Sequence, residues 1–158
     1  MLQDGEVDII FAGSRVETPG IEAMIMERTE MVLVAAPGHP LTASSEPAQE
    51  LRDYRHLEHE RGTATQLLAA QLLGEYAEGA ESVELEEGAL VPALMAGLGF
   101  AVMPRALVET DLVAGRLTAL PCPGAPILQA FTAARREGVH TPAVELLWQH
   151  LREVAVEP

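Results

Sequence analysis

The sequence predicts an α/β protein on three observations. Short apolar runs rich in branched residues recur along it, amphipathic stretches at helical spacing separate many of them, and glycine or proline closes most of both. EVDIIFA (6–12), ended by Gly13 and Ser14, reads as a buried strand. Residues 21–27 and 31–36 are two further strands joined around Arg28, Thr29 and Glu30, and PGHP (37–40) closes the second. Ser45, Glu46 and Pro47 open a short helix reaching Asp53, and 55–59 is a short strand leading into Arg61, Gly62 and Thr63. Leu68, Leu72 and Tyr76 are four apart with Leu73 beside them, which makes 65–76 an amphipathic helix. Residues 82–85 form a strand, and Leu90, Val91, Leu94, Met95 and Leu98 restore the helical period.

That last helix runs into MAGLGFAVMPRAL (95–107). Gly97 and Gly99 end it, because glycine takes the left-handed conformation at little steric cost. Residues 100–103 are then a buried strand, and Pro104 suits the first turn of a new helix reaching Val113. Gly115 breaks that helix before a strand over 116–120. Pro121, Pro123, Gly124 and Pro126 form a stiff connector to a strand over 127–133. The final helix is the clearest element: Thr141 is its N-cap, Pro142 its first residue, and Val144, Leu147, Trp148, Leu151 and Ala155 line one face. Strands alternating with helices imply a mostly parallel sheet covered on both faces.

Composition narrows the function. With 158 residues, 48% of them hydrophobic, the chain has enough apolar surface for one domain or for two small lobes sharing a core. Its formal charge of −14, with all ten basic side chains arginine, repels phosphate backbones and argues against direct nucleic-acid binding. One cysteine, Cys122, excludes an internal disulfide. No run approaches the roughly 20 apolar residues of a membrane span, and MLQDGEVDII lacks the pattern of a signal peptide. The chain reads as cytoplasmic, with no membrane partner.

In open α/β sheets, ligands bind beyond the carboxyl ends of strands, where free helix amides point outward. Three places fit: Gly13-Ser14, Gly62-Thr63-Ala64-Thr65 and Met103-Pro104-Arg105. The second is best furnished, because Gly62 admits a ligand to the backbone while Thr63 and Thr65 offer hydroxyls at a helix start. The plainer reading is that Thr63 only caps its helix, and that Arg61 and Arg105 pair with surface carboxylates. Glu75, Glu78, Glu81, Glu84 and Glu87 recur every third residue across helix, loop and strand, and read as a solvated acidic face. His39, His56, His59, His140 and His150 show no metal-ligand spacing, and alternation along a strand turns His56 and His59 to opposite sides. Cys122, between two prolines, reads as a spectator thiol. No catalytic constellation is found, so the chain is read as a non-enzyme with no metal and no cofactor.

In this order, the elements resemble the effector-binding domain of LysR-type transcriptional regulators. The resemblance rests on LQDGEVDIIF (2–11), the strand pair ending VLVAAPGHPL (32–41), ELRDY (50–54), LMAGLGFAVMPRAL (94–107) and GRLTAL (115–120), which span nearly the whole chain. It implies a type 2 periplasmic-binding-protein-like fold of two α/β lobes with a ligand cleft between them. The first lobe would hold 1–36 and 127–158, and the second 37–126. It also implies an N-terminal winged helix-turn-helix and a strand-helix-strand-helix opening that this sequence lacks, so the first lobe is expected to be incomplete. DNA contact would then come only through that missing segment. By the same resemblance a small-molecule effector, expected to be anionic, contacts Ala12, Gly13 and Ser14 of the first lobe, Gly62, Thr63, Ala64 and Thr65 of the second, and the strand end Met103-Pro104. The partners implied are that effector and further copies of the chain, as a dimer or tetramer. The competing expectation is a solute-binding protein of a transporter on the same fold.

Overall fold

The computed structural model describes residues 2–156. Met1, Glu157 and Pro158, which the first-lobe reading includes, lie outside the described residues. The chain divides into two compact units, Met1–Arg28 with Gln129–Pro158, and Thr29–Leu128.

The larger unit is built on apolar runs that are buried on both faces. β2 (Ile21–Ala35) ends in MVLVA, and this end pairs antiparallel with β5 (Phe100–Pro104), Met31 opposite Pro104 and Ala35 opposite Phe100. β6 (Thr118–Leu120) also pairs antiparallel with β2. β3 (His56–His59) runs parallel to both β5 and β4 (Ser82–Leu85). Successive strand side chains point to opposite faces, so MVLVA and FAVM each feed two cores. Met31, Leu33, Phe100 and Val102 meet Leu72 and Leu73 of α1 (Ala64–Leu73) on one face. Val32, Val34, Ala101 and Met103 meet Leu90 and Leu94 of α2 (Glu87–Met95) and Val108 of α3 (Arg105–Val113) on the other.

The smaller unit has one core. β1 (Ile9–Ala12) pairs antiparallel with β7 (Leu128–Arg136), Ala12 opposite Thr132. α4 (Pro142–Val154) starts at Thr141, whose hydroxyl accepts from the Val144 amide, and lays Trp148 and Leu151 against Met24 and Ala133. Arg135 fixes the helix from below: it pairs with Glu22 at 2.8 Å and Glu145 at 3.2 Å, and its guanidinium lies 4.6 Å from the Trp148 ring centroid. Arg152 binds the same Glu22. Partial burial raises the Glu22 pKa, but its bonds to Arg135 and Arg152 outweigh that and hold the carboxyl below its usual range.

Several expectations need correction. The strands expected over 21–27 and 31–36 are one, because Arg28, Thr29 and Glu30 make no turn. Thr29 Oγ1 accepts from the Ala106 amide at 2.9 Å and Glu30 pairs with Arg105 at 3.4 Å, so this polar step is held by the start of α3. The sheet is not mostly parallel. Parallel neighbours need a long crossover, usually a helix, and only the path β3-α1-β4-α2-β5 supplies one; β1, β2, β6 and β7 pair antiparallel where a partner register is defined. The helix expected to reach Tyr76 stops at Leu73, where Gly74 turns to φ +51° and a 3₁₀ turn follows (Gly74–Ala77). The helix over 47–53 is likewise 3₁₀ (Pro47–Asp53), residues 6–8 precede β1, and Leu147 of α4 is half exposed. Gly97 does take positive φ, +74°, but Gly99 does not. Gly99 is required for space: a Cβ there would overlap the Arg55 carbonyl oxygen, which accepts the Phe100 amide at 3.0 Å.

Candidate functional site

Because β3, β4 and β5 run parallel, their carboxyl ends lie along one edge of the larger unit, and each leads into a helix start. His59 precedes α1, Leu85 precedes α2 and Pro104 precedes α3. Helix amino termini carry unsatisfied amides and a partial positive charge.

The α1 end is the more open of the two anticipated there. Gly62 adopts φ +82°, and a Cβ on it would meet nothing within 4 Å, so the backbone faces free space. Thr63 donates to Glu60 O at 2.9 Å and accepts from the Gln66 amide at 3.2 Å, which makes it a cap as the plainer reading had it. Ala64 and Thr65 form the first turn and are partly exposed. His59 Nε2 donates to Val102 O at 2.8 Å, tying the end of β3 to β5 just below this turn.

The α3 end is filled from within. The Ala106 amide is taken by Thr29, and Arg105 lies between Glu30 and Glu109, both at 3.4 Å. Met103 is wholly buried in the α2–α3 core, and Pro104 is buried as well, so this strand end presents backbone at most. Arg61 is 81% exposed and pairs with Glu84 at 3.2 Å.

In the smaller unit, Ala12 ends β1, and Gly13 and Ser14 follow. The Gly13 carbonyl accepts from the Gln129 side-chain amide at 3.0 Å. Gln129 is 1% exposed, and sequence reasoning missed it, since its partner lies 116 residues away and nothing local marks it.

The remaining candidates are engaged elsewhere. Cys122 is half-buried; burial pushes its thiol pKa up and its Sγ donates to Leu72 O at 3.6 Å, which suits a spectator. His39 caps the turn Pro40–Ala43 by accepting from the Leu41 amide at 3.3 Å, and burial lowers its pKa. His56 stacks on Phe100 with ring centroids 5.0 Å apart and meets Glu58 at 3.3 Å. Burial lowers the His56 pKa further than Glu58 raises it. His56 and His59 both lie in β3 and line a hollow beside α1. Among the described residues, no group of three or more histidine, cysteine or acidic side chains is placed to hold a metal ion, and no helix is long and apolar enough to cross a membrane.

Comparison with known proteins gives the kind of domain these elements build. The model of the LysR substrate binding domain matches residues 1–156, and the chain belongs to that family. The HTH-type transcriptional regulator CbbR of Rhizobium meliloti (strain 1021) is 29% identical over 149 residues, covering 91% of this chain and 48% of the regulator. The full-length structure of HypT from Salmonella typhimurium, a hypochlorite-specific LysR-type transcriptional regulator, superposes with a TM-score of 0.81 at 20% identity, over 98% of this chain and 54% of that one. The regulatory domain of CcmR from Synechocystis PCC6803, solved in complex with 2-PG, gives a TM-score of 0.74 at 20% identity, over 98% of this chain and 76% of that one. The chain spans about half the length of the CbbR relatives it matches.

Proposed function

We propose that this chain is the effector-sensing part of a LysR-type transcriptional regulator, binding a small anionic metabolite and relaying that binding to an N-terminal helix-turn-helix that holds DNA. The observation that carries the reading is the family match over 1–156. The parallel strand ends beside Gly62 and Thr63 support placing the anion at the start of α1, where helix amides and an open glycine backbone meet. In this reading residues 1–36 and 127–158 are the first lobe and 37–126 the second, with Ala12, Gly13 and Ser14, Gly62 to Thr65, and the backbone of Met103 and Pro104 contacting the ligand. The regulator works in the cytoplasm as a dimer or tetramer, and the effector acts by binding one arrangement of the lobes better than another.

The test uses 2-PG, the ligand in the CcmR structure, as its first probe. Thr63→Asp keeps an N-cap, since aspartate caps as well as threonine, but sets a negative charge where the anion would lie. Binding measured by calorimetry is expected to weaken at least tenfold, about 1.4 kcal/mol, with the melting temperature nearly unchanged. Thr63→Phe in the natural regulator is expected to abolish the effector response. Unchanged affinity in Thr63→Asp would remove the start of α1 from the site.

A further inference from the structure

We draw no further inference here: the strongest candidate, the outer edge of β1 at the end of the sheet in the smaller unit, where Phe11 stands exposed, is an apolar edge with no partner strand among the described residues, and nothing in the structure shows what covers it.

Discussion

The two units solve burial differently. In the larger unit the strands are covered on both faces, by α1 on one and by α2 and α3 on the other, and each buried polar side chain has a stated partner: Thr29 the Ala106 amide, His39 the Leu41 amide, His56 Glu58, and His59 the Val102 carbonyl. In the smaller unit one helix covers one face, Phe11 is 66% exposed on β1, and Thr132 Oγ1 and Arg136 Nε are buried without a hydrogen-bond partner among the described residues. The lesson is that doubly covered strands and fully partnered polar groups occur together where the parallel strands and their crossover helices lie, and that unit also holds the more open of the candidate helix starts.

Truncating each core should separate them most. Phe100→Ala is expected to cost about 3–5 kcal/mol and to raise amide hydrogen exchange through β3 and β5. Trp148→Ala, in the same range, is expected to release α4 while β3 and β5 stay protected. Equal loss of protection in both variants would break the comparison. Next in size is Gly99→Val, expected to cost about 3 kcal/mol, at the upper end of the usual cost of overpacking, because its new side chain meets the Arg55 backbone and cannot displace it cheaply. A melting temperature equal to the parent's would refute that packing account.

One substitution made in both units sharpens the contrast. Thr29→Val strands the Ala106 amide at the head of α3 and is expected to destabilise by about 1–2 kcal/mol. Thr132→Val removes a buried hydroxyl that has no partner among the described residues and is expected to be neutral or stabilising. Chemical denaturation reads both, and the same sign for the two would contradict the assignment of partners. The smallest effect is that of pH. Burial lowers the pKa of His56 and of His39, with Glu58 opposing and His59 adding to the shift at His56. The unfolded chain therefore takes up protons first, so this contribution is fully present above a pH of about 6.5 and is lost as pH falls through the folded values. His56→Phe should flatten that slope in a pH series of denaturation curves.

Much of this was legible in the sequence because it is local. Thr141-Pro142 with Trp148 and Leu151 marks α4, FAVM marks a doubly buried strand, and Gly97 marks a helix end. What was not legible depends on partners distant in sequence. Arg28-Thr29-Glu30 looks like a turn until the start of α3 arrives to bind it, and the role of Gly99 belongs to Arg55. At the candidate site Gly62 and the Thr63 cap could be read directly. The filling of the α3 end by Thr29, the support of Gly13 by Gln129 and the hollow over His56 and Glu58 could not, since each joins elements that only the fold brings together.

The most direct test of the central claim is an amide NMR titration of this chain with 2-PG and related small acids. The account predicts saturable shifts at Gly62, Thr63, Ala64 and Thr65, lost in Thr63→Asp. Saturation by any of these acids that leaves all four amides unmoved would contradict it.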